Sequence, residues 1–530
     1  MTLRVLVAER ILTMDPTRPE AEVVVVDGDR IVDVGERGLV GRYPQASLVD
    51  LGDTTVVPGF IDAHYHLCLD ALHPRWADLR HVNDSPGLAD AVMAQAAAEP
   101  EADWVRGVGW SDLEHDYQPT CRDLDAMNLD RPAIAVHYSY HQCIVSSAGL
   151  DALGISASTP DPPGGSIGRF ADGSPNGLLV ERAFSEAQRR SMASYLDPDR
   201  WADLIVTAAQ RLVAEGITCV HDAACPPSAE AVYGALVRDK RLPLGVVVMP
   251  HPAALLAPLD ASRLEGAVTG EGDDRLAVGP IKLFADGGVL PAITGTWHGR
   301  ELSMGLVFEG LVDQVRTVVE RGFRVAVHAI GNAGVAAALD AFEAAGREQP
   351  GADHRFRIEH ASLLQGPQIN RMAGLGVVGV VQPGFLHHMG GAVEGFAPDD
   401  MTWMAFGSLQ SAGVVLAASS DAPCAFSAPL LTSARGTTRL TSKGTVLDSE
   451  QSLPYESWLR AYTAGAAFAG GQEEVRGRIA RGLVADLVVL EGPLDASRPP
   501  TVVETWAAGK QVYVASPQGV SLPTDQGEAT

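Results

Sequence analysis

Residues 56–66 read VVPGFIDAHYH. An apolar run rich in β-branched residues ends in Asp62-Ala63-His64-Tyr65-His66. Residues i and i+2 of a strand point to one face, so His64 and His66 project together. Two imidazoles at that spacing can chelate one metal ion, and His is the commonest metal ligand. The structural alternative is a pair of polar histidines near a strand end. The unbroken apolar run is what a strand buried on both faces looks like, and such strands belong to parallel sheets covered by helices.

Seven more runs of this kind follow: ITCVHDA (217–223), LPLGVVVMP (242–250), GPIKLFADG (279–287), RVAVHAI (324–330), RIEHAS (357–362), VVGVVQP (377–383) and VVLAASSDA (414–422). Helical patterns separate many of them, among them DRWADLIVTAAQRLVAEG (199–216), GLVDQVRTVVERG (310–322) and NAGVAAALDAFEAAG (332–346). Eight strands in a βα rhythm predict an α/β fold, a (β/α)8 TIM-like barrel, over residues 58–475. The stretch 67–200 is too long for a βα connection and carries its own turns and periodic segments, so it is expected to be an insertion over the barrel mouth. Residues 1–57 alternate short strands with turns, including the hairpin signal Asp27-Gly28. Residues 476–515 repeat that character in GRIARGLVADLVVLEG and TVVETWAAGKQVYVA. Neither end has enough strands to bury a face alone, so together they are expected to form a composite β-sandwich. The polar residues 516–530 are expected to be a frayed tail.

Composition narrows the partners. With 46% apolar and 20% charged residues, the 530-residue chain is no disordered protein and has ample core material. Its net charge of −26 makes it a poor binder of nucleic acid or an anionic membrane. No apolar run approaches the ~18 residues of a membrane span, and MTLRVLVAERILTMD lacks a signal-peptide pattern. Six scattered cysteines, at 68, 121, 143, 219, 225 and 424, suit reduced thiols in the cytoplasm and leave room for at most a structural disulfide or so. The expected partner is a small-molecule substrate, with no nucleic acid and no membrane, and the candidate assembly is a homodimer.

Polar residues recur where the strands end. Lys282 lies near the end of the fourth strand, His328 of the fifth, His360 of the sixth and Asp421 at the end of the eighth. Each alone has an ordinary explanation: a satisfied core histidine, or an aspartate capping a helix. Catalytic groups of such barrels gather at the C-terminal strand ends, and five strand ends carrying His/His, Lys, His, His and Asp converge on one metal site. Trp110 in GVGWSD reads equally as a pocket wall or as core of the insertion. Trp297 and His298 in GTWHGRELSMG, and His387-His388, fall in loops expected at the same face. Asp286-Gly287-Gly288 reads as a turn, and Asp286 as an alternative ion-pair partner for Lys282.

These motifs, in this order, resemble the metal-dependent amidohydrolase superfamily, and most closely the amidohydrolase family 3 branch that includes N-substituted formamide deformylase-like enzymes. The similarity runs over nearly the whole chain through VVPGFIDAHYHL, GLLVERA, AEGITCVHDA, IKLFADGG, VAVHAIGN, RIEHASL, QPGF, SSDAP and GRIARGLVADLVVLEG. It implies that His64 and His66 hold a more buried zinc ion and that His328 and His360 hold a more exposed one. It implies a carboxylated Lys282 bridging both, since a carbamate offers two anionic oxygens where an ammonium offers none. A plain lysine with one ion is the alternative. Asp421 is implied as both ligand and catalytic base, and His141 in SYHQCIVSSAGL as a substrate-side residue with Trp110 and Trp297 as companions. The implied activity is hydrolysis of an amide-type C–N bond, in an N-substituted amide or formamide of a small, largely uncharged molecule. A deaminase, a lactone or carbamate hydrolase, and an inactive barrel that only binds small molecules are the rivals. The deaminase HxxE pattern is broken here, because Gly331 stands three residues after His328.

Overall fold

The computed structural model describes residues 3–112, 117–252 and 254–516. Eight strands carry the parallel framework: β1 (Phe60–Tyr65), β2 (Ile217–Cys225), β3 (Gly245–Pro250), β4 (Ile281–Phe284), β5 (Val325–Ala329), β6 (Arg357–His360), β7 (Val378–Val381) and β8 (Leu416–Ala418). β1, β2 and β3 pair in parallel in one sheet, edged by Leu276–Val278. β4 through β8 pair in parallel, in chain order, in a second. The free edges of the two sheets adjoin. The Asp421 N–H donates to the His64 carbonyl at 2.9 Å and the His66 N–H to the Ala422 carbonyl at 2.9 Å, which ties the end of β8 to the end of β1. On the other side β3, the strand next to the edge Leu276–Val278, lies beside β4.

Val, Ile, Leu and Ala dominate most of these strands, which are buried because helices lie over them, whereas β6 carries the charges of Arg357 and Glu359. The helix Pro198–Ala214 is started by the Asp197 carboxylate, which accepts the Arg200 N–H at 2.9 Å, with Pro198 in the first turn. It buries Trp201, Ile205, Ala209 and Leu212 at helical spacing. The helix Asn332–Glu348 buries Val335, Leu339 and Phe342 in the same way.

Both chain ends meet in one mixed sheet of eight strands, where Thr55–Pro58 pairs antiparallel with Leu487–Glu491. One face of the N-terminal strands, with Leu6, Ala8, Ile11, Val24 and Val26, packs on Leu487, Val489 and Trp506 of the same sheet. Val5, Val7, Val23 and Val25 alternate onto the opposite face and pack on Leu39. The stretch between β1 and β2 folds around a six-stranded sheet of its own, from Ala77–Asp78 to Pro175–Glu181. The expected tail lies outside the described residues apart from Ser516. No helix among the described residues is long and apolar enough to cross a membrane.

Candidate metal centre and substrate cavity

The imidazoles at the end of β1 meet the carboxylate beyond β8. His64 Nε2 stands 3.3 Å and His66 Nε2 3.2 Å from Asp421 Oδ1. One ligand atom from each of the three lies within 4.8 Å of the others. The His360 ring centroid is 5.0 Å from that of His64 and 4.6 Å from that of His328. Lys282 borders the same cavity, so all six sequence-predicted ligand residues line one space: His64, His66, Lys282, His328, His360 and Asp421.

The far side of each ring sets its proton. His66 Nδ1 donates to the Ala223 carbonyl at 2.8 Å, and His360 Nδ1 to Gln382 Oε1 at 3.0 Å, while the Gln382 amide donates to Ser419 Oγ at 2.9 Å. His64 Nδ1 faces Glu359 Oε2 at 2.5 Å. At His64 and His360 an acceptor at Nδ1 leaves the Nε2 lone pair for the cavity. Burial holds His64 and His328 well below the usual imidazole range and His360 at about 4, so these rings are neutral. Burial pushes the Asp421 carboxyl up, but its hydrogen bond with His66 outweighs this and holds it well below the usual carboxylate range. His328 Nε2 is buried with no hydrogen-bond partner among the described residues, and Asp286 Oδ1 stands 3.9 Å away. Neutral imidazoles with free Nε2 atoms, one of them orphaned, around an anionic carboxylate form a donor set that fits zinc. His360 and Asp421 adopt left-handed backbone, at φ 75° and 60°, and strain of this kind collects at functional sites.

Burial lowers the Lys282 ammonium to about 8. The alternative partner Asp286 is engaged elsewhere: it accepts the N–H groups of Ala292, Ile330 and Gly331 at 2.8–3.0 Å, tying the loop after β4 to the loop after β5. Gly287 and Gly288 in that loop let the insertion come close, since a side chain there would strike Glu181 or the His141 ring. Glu181 Oε2 lies 2.6 Å from His141 Nδ1, and its Oε1 accepts the N–H groups of Val289 and Leu290. His141 thereby reaches the cavity wall, its ring 5.1 Å from that of His328.

The cavity measures about 440 Å³. Phe385, Met389, Phe396, Trp403, Met404 and Ile293 give it an apolar wall, and Tyr138, Ser139, Tyr140 and His141 come from the insertion. Two expectations need correction. Trp110 lies in the insertion's own core, with its indole N–H on the Ala135 carbonyl at 3.1 Å, and does not line the cavity. Its strand alternates into the insertion sheet, so burial there claims the ring. Trp297, on the hairpin strand Ile293–Trp297, meets Phe396 edge-on at 5.2 Å between ring centroids and backs the wall instead of forming it. Cys68 lies outside this ligand set, beside Asp222 and Cys225. Sequence reasoning missed Glu359, Gln382 and Glu181. Arg357 and Glu359, two charges in a stretch read as a buried strand, were the one available signal for the first of them.

The amidohydrolase-family model matches residues 47–513. The chain belongs to the amidohydrolase family. It is 30% identical over 527 residues to the N-substituted formamide deformylase of Arthrobacter pascens, covering 94% of this chain and 96% of that protein. The crystal structure of an uncharacterized metal-dependent hydrolase from Pyrococcus horikoshii superimposes with a TM-score of 0.72 at 23% identity, covering 93% of this chain and 98% of that one. One from Pyrococcus furiosus does so with a TM-score of 0.70 at 24% identity, covering 93% and 99%. These likenesses show a shared fold. As an amidohydrolase, the protein is a metal-dependent hydrolase of carbon–nitrogen bonds other than peptide bonds.

Proposed function

We propose that this amidohydrolase cleaves the C–N bond of a small, largely uncharged N-substituted amide or formamide. The observation that carries the proposal is the convergence of His66 Nε2 and His64 Nε2 on the anionic Asp421 Oδ1, at 3.2 and 3.3 Å, in a cavity with an apolar wall. The 30% identity to an N-substituted formamide deformylase supports the substrate class. The eight parallel strands act as one (β/α)8 barrel, the eight-stranded terminal sheet as a composite sandwich, and the insertion as a cap over the site.

In this proposal His64 and His66 hold one zinc ion with Asp421, and His328 and His360 hold a second. Lys282, as a carbamate, would offer its two anionic oxygens to them. Carbamate formation consumes a free amine and CO₂ and releases one proton, and a lysine held at about 8 offers that amine far more often than one at 10.5. Bound zinc supplies Lewis-acid polarisation of the substrate carbonyl and brings water acidity to a pKa of ~7. Asp421 accepts the proton of the attacking water on a carboxylate oxygen and returns it to the leaving nitrogen, acting as base and then acid. Glu181 orients His141 toward the substrate from the insertion side. The aromatic and methionine wall excludes water and packs an aryl or alkyl N-substituent. Six free thiols support a cytoplasmic setting.

The test is a panel of N-formyl, N-acetyl, carbamoyl, lactone and cyclic-amide compounds, read by amine or acid release. The proposal expects turnover of uncharged N-substituted formamides or amides above the rest. Preference for multiply charged compounds, or for lactones alone, refutes it.

A further inference from the structure

Two buried charges sit behind His64 with no part in the chemistry above. Arg357 and Glu359, both of β6, are fully buried. The Arg357 guanidinium has five N–H groups, and acceptors surround all of them. Nε donates to Glu359 Oε1 at 2.9 Å, and Nη2 to Glu359 Oε2 at 3.0 Å and the Ala63 carbonyl at 2.7 Å. Nη1 donates to His221 Nδ1 at 3.1 Å and the Ala469 carbonyl at 3.4 Å. Arginine only donates and stays charged in proteins. Both oxygens of Glu359 therefore act as carboxylate acceptors, and Oε2 accepts once more, from His64 Nδ1 at 2.5 Å.

We infer that the Arg357–Glu359 pair is the positioning device that makes His64 the anchoring metal ligand. This rests on the metallohydrolase proposal above. The donor count leaves His64 one tautomer, with its proton on Nδ1 and its Nε2 lone pair facing Asp421. The guanidinium also grips the Ala63 carbonyl, so the ring of His64 and the backbone just before it are tied to one rigid group. His66 and His360 rest on neutral oxygens, of Ala223 and Gln382, whereas His64 rests on an anion, which raises the basicity of a ligating imidazole. Among these three, His64 is the strongest donor.

Glu359→Gln discriminates. With the amide oxygen toward His64, the amide N–H meets the Arg357 Nε–H, donor against donor. Turned over, the amide donates to His64 Nδ1 and moves the ring's proton to Nε2. Either way the metal face of His64 is impaired while side-chain volume stays constant. Zinc affinity of metal-free protein, measured by competition with a chromophoric chelator, is expected to fall about 10–100-fold, with the melting temperature of the metal-free variant close to wild type. Should the variant not fold, the ¹⁵N shifts of histidine-labelled wild-type protein decide: the signals missing in His64→Asn must show protonated Nδ1 and bare Nε2. A folded Glu359→Gln protein that binds zinc as tightly as wild type, or an Nε2–H tautomer for His64 in the metal-free protein, overturns the inference. Wild-type protein that takes up no zinc refutes the metallohydrolase proposal itself, a separate result.

Discussion

Asp421→Asn removes one charge and keeps the shape around it. Residue 421 sits at φ 60°, a conformation that Asn adopts as readily as Asp. The main-chain bonds on either side, Asp421 N–H to the His64 carbonyl and Cys424 N–H to the Asp421 carbonyl, are both 2.9 Å and do not involve the side chain. The fold is therefore expected to survive. An amide oxygen can take the place of Oδ1, 3.2–3.3 Å from His66 and His64, so zinc is held more weakly yet still held. What disappears is the proton acceptor, because an amide does not take up a proton at neutral pH. General-base catalysis contributes about 10²–10⁴-fold, so kcat per bound zinc should fall by that factor, about 2.7–5.4 kcal/mol at 1.36 kcal/mol per factor of ten. KM should change much less. The assay is steady-state amine release at saturating zinc, normalised to zinc content measured on the same sample. A loss smaller than about tenfold per bound zinc would remove Asp421 from the role of base.

Truncating either β1 histidine, His64→Ala or His66→Ala, is expected to abolish turnover and the zinc that the pair holds, read by metal analysis; full zinc content in the double variant places the site elsewhere. Lys282→Ala should lose bound zinc, and short carboxylic acids should restore part of the activity by replacing the carbamate oxygens; unchanged zinc content contradicts a bridging role. Trp110→Ala should cost about 3–5 kcal/mol of stability through the insertion core and leave substrate preference alone, whereas His141→Ala should lower kcat/KM and shift preference among N-substituents at constant zinc. His73 and His251, which burial holds at about 4 and about 3 against a usual 6.5, contribute to the pH dependence of the metal-free protein. Both bind fewer protons folded than unfolded in that window, so stability rises with pH there and is lost on acidification from about 6.5 toward 4. Melting temperatures should drop between about pH 7 and pH 5, less steeply in His73→Gln; a flat profile counts against neutral burial of these rings.

The framework was legible because a strand buried on both faces must be apolar throughout, and eight such runs recur at βα spacing. The strand-end residues stood out for the same reason: His64, Lys282, His328, His360 and Asp421 are polar at or near the end of a run. What stayed hidden depends on contacts between distant segments. Glu359 is next to a legible ligand, yet one of its partners, His64, is 295 positions away in the chain and meets it only in the folded protein. Glu181 acquires its role only because the glycines at 287 and 288 admit the insertion. Trp110 and Trp297 misled because an aromatic ring serves a core as well as a pocket, and the side a strand turns to the cavity is set by packing that the local pattern does not encode.

The central claim is that the six residues lining this cavity hold the metal that makes it a hydrolase. The most direct measurement is zinc stoichiometry and N-substituted formamide hydrolysis on one preparation, before chelation, after chelation and after zinc is returned. The account predicts that zinc and activity leave together, return together, and do neither in His64→Ala. Activity that persists in the fully chelated protein, or zinc that binds His64→Ala as it binds wild type, would contradict it.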